Sequence, residues 1–423
     1  MNSPDSAAGA ASAPRYGIEA INVYCGLAQI PVRALFQGRG LDLDRVGHLM
    51  MSARSIALPC EDPVTNAVNA ALPIVSALRA DQRDRIELLV TSSESGIDYS
   101  KSISSYVHEY LGLSRHCRIL EVKQACYAAT GALQLAAAYA ASGVSPGAKA
   151  LVIATDVSMV DARAGYAEPA TGHGAAAMLI SDRPRVMALD LGAFGIYGYE
   201  TLDSARPGPD YDIADVDSSL FTYLDCLSHS FADYRAKVAD VDLRTTFDQL
   251  AMHTPFAGLV KAAHRKLMRE QAAAGAAEIA ADFEARLGPS LRYPSVVGNL
   301  CSGAIYLALC SVIDHAPGGQ PARVGLFAYG SGCASEFFSG LIDAGSRQAL
   351  APMRIAARLE ARVPISYDEY LDLLADNSRC LVPVPDRKID VSAYERFLDA
   401  DGERGRLLAF RGVERFHRKY EWV

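Results

Sequence analysis

Cys126 stands in the segment Glu121–Gly131, between an apolar strand and an alanine-rich run, and so at or near the start of a helix. The unpaired N–H groups and the positive dipole end of a helix start favour the thiolate, which is the nucleophilic form of cysteine. A free cysteine is also among the most buried residue types and usually acts as a small hydrophobe. The cysteine alone therefore leaves catalysis and packing both open.

Glu94 lies in a turn of small residues directly after the apolar strand Arg85–Ser92. Partial removal from water would raise the basicity of its carboxylate, as a general base requires. A helix cap is the alternative interpretation, and Ser93 or Ser95 could fill that role as well.

His253, in the segment Leu250–Phe256, follows apolar residues and precedes a proline that fixes the backbone. Its ring could donate a hydrogen to a carbonyl oxygen, although a structural core histidine would have the same surroundings. The turn Gly330–Gly332 follows the strand Val324–Ala328 and would present N–H groups suited to an oxyanion. Plain turns use the same residues.

The elements that must position these residues alternate between helix and strand, which predicts an α/β fold. They are a helix from Asp62 to Leu78, the strand Arg85–Ser92, an amphipathic helix to Leu111, the alanine-rich helix Ala132–Ala141 and the strand Ala148–Thr155. Further on, a charged helix Lys261–Arg269 and an Ala/Glu-rich helix Glu270–Arg286 are expected.

A weak repeat relates the two halves of the chain. Gly131–Ala136 resembles Gly303–Ala308, and Ala148–Val152 resembles Ala322–Leu326, so that two helix–turn–strand units recur in the same order. We predict a flexible tail over 1–15, an N-terminal half over 16–190 with the glutamate and cysteine, and a C-terminal half over 191–423 with the histidine. The second half would contain a helical insertion at about 207–291.

Composition excludes several classes of protein. The net charge of −8 argues against general nucleic-acid binding, and no apolar run approaches membrane length. The nine cysteines have neither CxxC pairs nor histidines at zinc-finger spacing, so neither a disulfide framework nor a zinc site is indicated. The first fifteen residues lack the features of a signal peptide. We expect a cytoplasmic protein with no metal.

Five segments together resemble the signature segments of the 3-hydroxy-3-methylglutaryl-CoA synthase family. In order, they are Ser93–Asp98, Gln124–Tyr127, Ala251–Phe256, Gly298–Gly303 and Tyr329–Gly332. The resemblance runs from about Tyr16 to the C-terminus. It implies the thiolase fold, which is a duplicated αβαβα layered α/β architecture, and a homodimer.

The resemblance also implies residue roles. Cys126 would accept an acetyl group from a thioester, Glu94 would remove a proton from the acetyl methyl, and His253 would orient and polarise the ketone of the acceptor. Positions that bind substrate in the family are Asn299, Ser331, Gly332, Ser219 and Thr130. No bound cofactor is implied, because the substrates are thioesters of phosphopantetheine on an acyl carrier protein or in CoA.

Other segments resemble the polyketide β-branching branch of the family, whose members act on donor and acceptor acyl carrier proteins. These are Ala57–Thr65, Thr222–Cys226 and His253–Lys261. Gly258 stands where the primary-metabolism synthases usually carry a lysine for the CoA phosphates. The alternatives are a primary-metabolism synthase that uses acetyl-CoA and acetoacetyl-CoA, and a non-catalytic binding or scaffold protein with the thiolase fold.

A basic stripe is the predicted docking site for the acidic carrier proteins. Lys261, Arg265 and Arg269 are four residues apart and share one helix face, although a solvated helix face would show the same spacing.

Three departures from the family pattern concern the donor pocket. Ala170 replaces a usual Ser or Thr, His173 interrupts a run of small residues, and the loop 159–166 is short for the β-branching branch.

Overall fold

The computed structural model describes residues 15–158, 167–400, 402 and 405–423. Of the predicted tail 1–15, only Arg15 is described, and the loop 159–166 lies outside the described residues. The described residues include a sheet of nine strands, with helices on both of its faces and three smaller sheets around it.

The described part of the chain contains strands of the large sheet, which are short at its edges and longer in its middle, and strands of the three smaller sheets. They are β1 (Gly17–Tyr24), β2 (Ala28–Pro31), β3 (Ala53–Ile56), β4 (Ile86–Ser92), β5 (Arg118–Val122), β6 (Lys149–Asp156), β7 (Gly174–Ser181), β8 (Met187–Gly198), β9 (Ser204–Gly208), β10 (Tyr211–Ala214), β11 (Gln249–Met252), β12 (Ala322–Gly330), β13 (Ala334–Ile342), β14 (Val363–Pro364), β15 (Asp386–Lys388), β16 (Leu408–Glu414) and β17 (His417–Trp422).

The helices range from one turn to six. They are α1 (Val32–Arg39), α2 (Val46–Leu49), α3 (Pro63–Ser76), α4 (Ala80–Arg83), α5 (Ile103–Tyr110), α6 (Ala128–Ala141), α7 (Val216–Lys237), α8 (Ala257–Ala272), α9 (Ala276–Asp282), α10 (Gly288–Leu291), α11 (Pro294–Val297), α12 (Ala304–His315), α13 (Ala344–Leu350), α14 (Ile355–Glu360), α15 (Tyr367–Asn377) and α16 (Glu395–Leu398).

The large sheet repeats one pattern of strand directions. Its order is β11-β12-β13-β8-β1-β7-β6-β4-β5. On one side, β4 is parallel to β6, while β7 is antiparallel to both β6 and β1. On the other side, β11 is parallel to β12, while β13 is antiparallel to both β12 and β8. The two series meet where β1 pairs with β8 over two residue pairs.

The helix–turn–strand repeat seen in the sequence falls on α6 with β6 and on α12 with β12. The two units occupy equivalent places in the two series of strands, as internal duplication requires. The division of the chain at residue 190 stays a prediction, and residue 190 itself lies inside β8. The range 207–291 holds α7 and α8, but it also holds β11, an edge strand of the large sheet. Four residues are too few to show strand alternation in the sequence.

The helices form layers around the two series of strands. α3 packs on β1, β6 and β7, and α7 packs on β8 and β13, so each covers an outer face. α12 packs on β11 and β12 and also on β1 and β7, which places it between the two series. Ten consecutive residues of α12, Ala304 to Ile313, are buried. A helix that is apolar on all sides suits this central position.

The end of α8 differs from the prediction. The charged helix continues past Arg269 to Ala272, the chain turns at Ala273 with a φ of 48°, and the next helix begins after Gly275. The predicted helix Glu270–Arg286 is therefore divided. Alanine favours helix on both sides of the turn, so its abundance does not mark where one helix ends.

α6 is joined to the opposite series of strands through a buried carboxylate. Tyr127 at the helix start and Gln134 donate hydrogen bonds of 2.8 and 2.6 Å to Glu336 on β13. Burial raises the pKa of Glu336 to about 7 from an ordinary value of 4.5, although the two hydrogen bonds oppose the rise. The folded protein therefore holds a proton on Glu336 at pH values where the unfolded chain has lost it.

The free energy of unfolding is expected to depend on pH through this residue. As pH rises from about 4.5 to about 7, the folded protein loses stability on the order of 3 kcal/mol from Glu336 alone. Glu336→Gln removes that loss, because a glutamine keeps the shape without a charge. Urea unfolding of both proteins at about pH 5 and about pH 8 measures the difference. An identical pH dependence in the two proteins contradicts this assignment.

Candidate active site

Glu94 and Cys126 meet at one edge of the large sheet. Glu94 follows β4, and Cys126 lies just before α6, with Ala125 between strand and helix in the left-handed region at a φ of 43°. The Cys126 thiol donates a hydrogen bond of 3.1 Å to Oε1 of Glu94. The strained turn thus presents the sulfur directly to the carboxylate.

The pKa of Cys126 is shifted in the direction opposite to the sequence expectation. A hydrogen bond with Cys301 lowers it, but burial and the negative charge of Glu94 raise it, and the result is a pKa of about 12. The helix start therefore does not hold a thiolate here, because the neighbouring carboxylate and the loss of water outweigh it. The resting group is a thiol, and Glu94 is placed to take its proton when the sulfur attacks a carbonyl carbon.

Asp156, the last residue of β6, fixes the turn that carries Glu94. Its Oδ1 accepts hydrogen bonds from the backbone N–H of Glu94 at 2.7 Å and from the hydroxyls of Ser93 and Ser95 at 3.2 and 3.0 Å. Burial and the charge of Glu94 raise the pKa of Asp156 to about 8. Arg206 holds the same turn through the Glu94 carbonyl at 3.2 Å. We did not identify Asp156 from the sequence, although it directly follows the predicted strand Ala148–Thr155.

His253 follows β11 and is buried with a neutral ring. Its backbone N–H donates to the Phe327 carbonyl at 2.7 Å, and its own carbonyl accepts from the Tyr223 hydroxyl at 2.7 Å. Burial lowers the pKa of His253 to about 3. Its Nδ1 has no hydrogen-bond partner among the described residues. A neutral imidazole with one N–H can donate a hydrogen to a ketone oxygen.

Gly330 is the point of contact between the strands beside His253 and the turn that carries Cys126. β11 pairs with β12, and Gly330 ends β12 against the backbone of the cysteine turn. A Cβ at Gly330 would stand 2.5 Å from the backbone nitrogen of Tyr127 and 2.6 Å from the carbonyl oxygen of Gln124. The side chain of Gln124 also donates to the Ser331 carbonyl at 3.4 Å. The absence of a side chain at Gly330 therefore lets the two halves of the site approach each other.

The predicted substrate-binding residues have different surroundings. Oδ1 of Asn299 accepts the backbone N–H of Cys301 at 3.0 Å, which places this side chain beside the cysteine that is hydrogen-bonded to Cys126. The Gly332 N–H, expected to face an oxyanion, donates instead to Asp203 at 2.9 Å. Thr130 is buried, with its hydroxyl 2.8 Å from that of Tyr306. Ser219 is half-buried on α7. Binding of substrate by these residues stays a prediction.

Ala170 and His173, which depart from the usual family residues, are both buried. Ala170 is part of a small apolar cluster, and its carbonyl accepts the Asn299 N–H at 2.9 Å. His173 is buried, with Nδ1 3.4 Å from the Asn66 amide and Nε2 3.5 Å from Glu61. His173 is therefore part of a polar network inside the protein.

The basic stripe of α8 is exposed, as expected. Lys261, Arg265 and Arg269 all face solvent, and the Lys261 ammonium lies 5.0 Å from the centre of the Phe283 ring. Gly258, one turn earlier, has no room for a side chain, because a Cβ there would stand 1.8 Å from the carbonyl oxygen of His48. Helix α2 thus leaves no room for a side chain at the position that the family resemblance associates with a CoA-binding lysine.

This close contact predicts the effect of two glycine substitutions. Gly258→Ala should lower the free energy of unfolding by about 1–3 kcal/mol, because the new methyl group displaces the backbone of α2. Gly275→Ala is the matched control, since a Cβ there meets nothing within 4 Å. Denaturant unfolding compares the two variants, and equal stability of both would show that α2 moves freely.

Among residues 15–158, 167–400, 402 and 405–423, no helix is both long and apolar enough to cross a bilayer.

Comparison with known proteins identifies the family. Residues 65–184 match the model of the hydroxymethylglutaryl-coenzyme A synthase N-terminal region, and residues 269–382 match that of the C-terminal region. The chain is 44% identical to the polyketide biosynthesis 3-hydroxy-3-methylglutaryl-ACP synthase PksG of Bacillus subtilis, over 96% of this chain and 99% of the relative. It is 32% identical to the hydroxymethylglutaryl-CoA synthase of Enterococcus faecalis, over 85% and 91%.

Solved structures of HMG synthases also resemble the structure of this chain. The HMG synthase of the curacin biosynthetic pathway in complex with acetyl donor-ACP has a TM-score of 0.94 and 45% identity, with 97% of this chain and all of that chain covered. MvaS in complex with 3-hydroxy-3-methylglutaryl coenzyme A has a TM-score of 0.84 and 28% identity, with 96% and 99% covered. HMG-CoA synthases have the thiolase fold, which confirms the predicted fold class. The chain belongs to the hydroxymethylglutaryl-CoA synthase family of acyl-condensing enzymes.

Proposed function

We propose that this enzyme adds an acetyl group, carried on Cys126, to the β-ketone of a β-ketoacyl chain bound to an acyl carrier protein, as in polyketide β-branching. The observation that carries the proposal is the difference in similarity between the two kinds of relative. Identity is 44–45% to the HMG-ACP synthase PksG and to the curacin-pathway synthase solved with donor-ACP, but 32% to the hydroxymethylglutaryl-CoA synthase of Enterococcus faecalis and 25–28% to synthases solved with CoA compounds.

The first step is transfer of the acetyl group to Cys126. As the sulfur attacks the carbonyl carbon of the donor thioester, Oε1 of Glu94, which is 3.1 Å away, takes the thiol proton. The phosphopantetheine thiol of the donor carrier protein leaves with that proton. Cys126 then holds the acetyl group as a thioester, and Glu94 is again a carboxylate.

The second step forms the carbon–carbon bond. Glu94 removes a proton from the acetyl methyl, and the resulting enolate carbon attacks the β-ketone carbon of the acceptor. The N–H of the neutral His253 ring donates a hydrogen bond to the ketone oxygen as it becomes an alkoxide, and the proton held by Glu94 passes through solvent to that oxygen, which becomes a tertiary alcohol. Such a positioned acid or base contributes roughly 10²- to 10⁴-fold in rate. Water then cleaves the Cys126 thioester, which leaves a carboxylate on the product and a thiol on the enzyme.

The proposed partners are a donor and an acceptor acyl carrier protein in the cytoplasm, and a second copy of this chain. The substrates arrive as phosphopantetheine thioesters, so the reaction needs no bound cofactor. A homodimer is supported by the edge strand β5, where Ile119 and Leu120 are 41% and 40% exposed, and by Leu135 of α6, which is 69% exposed. An uncovered strand edge with apolar side chains favours pairing with another chain.

The basic stripe is the proposed docking surface for the acidic carrier proteins. The triple variant Lys261→Glu, Arg265→Glu and Arg269→Glu should raise the KM for acetyl-carrier protein about tenfold, because attraction becomes repulsion. Arg185→Glu is the matched control, since Arg185 is exposed in the turn between β7 and β8, at the opposite edge of the sheet from Cys126. Steady-state kinetics measures both variants. An unchanged KM in the triple variant would exclude this surface.

Reconstitution with both kinds of thioester tests the proposed function. The enzyme is supplied with acetyl-carrier protein and acetoacetyl-carrier protein, or with acetyl-CoA and acetoacetyl-CoA. We expect the acceptor carrier protein to gain the mass of one acetic acid, much faster than the CoA substrates react. Faster reaction of the CoA pair would favour a primary-metabolism synthase, and reaction of neither pair would favour a non-catalytic thiolase-fold protein.

A further inference from the structure

Cys301 brings a second thiol to the active site, and the proposed condensation gives it no task. One donor atom from each of Glu94, Cys126 and Cys301 lies within 4.8 Å of the other two. Cys301 is buried at 9% exposure and has a φ of 50°, in the left-handed region. The side chain of Asn299 holds its backbone N–H at 3.0 Å. The local backbone therefore fixes the second thiol close to the first.

The three groups are the donors that a thiophilic divalent cation prefers. Zn²⁺ binds cysteine sulfur at about 2.3 Å and carboxylate oxygen at about 2.0–2.2 Å, usually with four ligands in a tetrahedron. In such a tetrahedron the donor atoms lie about 3.3–3.8 Å apart. The distance from Cys126 Sγ to Glu94 Oε1 is 3.1 Å, so small side-chain rotations would bring all three donors to a shared ion.

The charges around the cluster also favour a cation. Asp156 lies directly behind Glu94, and its Oδ2 is buried without a hydrogen-bond partner among the described residues. The nearby Arg206 is engaged by Asp212 through two hydrogen bonds of 2.6 and 3.0 Å. A dication would offset the negative charge of Glu94 and of two thiolates in this poorly hydrated place.

We propose that Glu94, Cys126 and Cys301 form a binding site for a Zn²⁺-class cation, which inhibits the enzyme by occupying its nucleophile and its base. Each thiol gives one proton to solvent as its sulfur binds the ion, and the fourth ligand position is left for water. No short sequence motif predicts this site, because its ligands, residues 94, 126 and 301, are far apart along the chain. The metal site is independent of the proposed condensation, whereas the inhibition rests on it.

Cadmium titration tests the site without any substrate, because a Cd²⁺–thiolate bond absorbs in the ultraviolet. The wild type and Cys117→Ser, which removes a thiol outside the active site, should bind one Cd²⁺ with this absorption. Cys301→Ser should weaken binding at least tenfold. Equal binding in Cys301→Ser and the wild type would overturn the proposal, and so would absence of the absorption in the wild type. A signal lost only in Cys226→Ser would place the ion at the buried Cys226–Cys333 pair, whose sulfurs are 3.6 Å apart.

Alkylation of the unmodified protein provides a second measurement that needs no variant. Bound Cd²⁺ should protect Cys126 and Cys301 from iodoacetamide, as read from the two peptides by mass spectrometry, and a chelator should restore the labelling. In the condensation assay, Zn²⁺ should inhibit the wild type and Cys117→Ser at concentrations at least tenfold lower than it inhibits Cys301→Ser. Labelling that Cd²⁺ does not change would contradict the proposal even if the condensation itself were confirmed.

Discussion

Cys126→Ala is expected to lower the rate of condensation by roughly 10⁴-fold or more, because the thiol hydrogen-bonded to Glu94 is the group that carries the acetyl thioester. The thiol lies 3.1 Å from the only carboxylate oxygen hydrogen-bonded to it among the described residues. Steady-state kinetics with both carrier proteins measures the loss. The methyl group of alanine fits in the space of the thiol, so the fold should be unchanged.

Two controls make the Cys126 result specific. Cys117→Ala should retain the wild-type rate, since Cys117 lies before β5 and outside the site. Circular dichroism should show the same helix content in all three proteins. A Cys126→Ala enzyme that kept more than a tenth of the wild-type rate would show that another group carries the acetyl.

Glu94→Gln should lower the rate of condensation about 10²- to 10⁴-fold, which is the usual contribution of a general base. Glutamine keeps the size of the side chain and can still accept the thiol hydrogen bond, but it cannot take the proton of the acetyl methyl. Exchange of the acetyl methyl hydrogens with deuterated water should therefore stop. Asp98→Asn is the control, because Asp98 is exposed in the same loop.

The same variant should make Cys126 more reactive. The charge of Glu94 raises the pKa of Cys126, so its removal lowers that pKa and increases the thiolate fraction at neutral pH. Alkylation by iodoacetamide at about pH 8 should be faster in Glu94→Gln than in the wild type, while condensation is slower. A variant in which both rates fell together would show that Glu94 acts on Cys126 as its base more than through its charge.

The alternation of helices and strands predicted the α/β class, whereas the pairing of Cys126 with Glu94 was implied by the family resemblance, since the local pattern around each residue left a structural role open. Glu94 follows β4 and Cys126 follows β5, and these parallel strands bring their carboxyl ends to one edge of the sheet. The expected thiolate was wrong because it was inferred from the local sequence alone. The dipole of a helix start is a local feature, whereas burial and the charge of Glu94 depend on the complete fold.

Close contacts between distant segments could not be predicted. Gly258 meets the carbonyl of His48, and Gly330 meets the backbone of Tyr127, so each glycine is explained only by a neighbour far along the chain. Cys301 lies in the recognised segment Gly298–Gly303, but its contact with Cys126, 175 positions earlier, could not be read from the sequence. Asp156 was also missed, although its place at the end of a predicted strand made it accessible to the same reasoning as Glu94.

The most direct test of the whole account is acetylation of Cys126. The enzyme is incubated with acetyl-carrier protein or with acetyl-CoA, quenched, digested and analysed by mass spectrometry. We predict an acetyl group on the Cys126 peptide, formed faster from the carrier protein than from CoA. The account would be contradicted if Cys126 stayed unmodified with both donors, or if it were acetylated by CoA and not by the carrier protein.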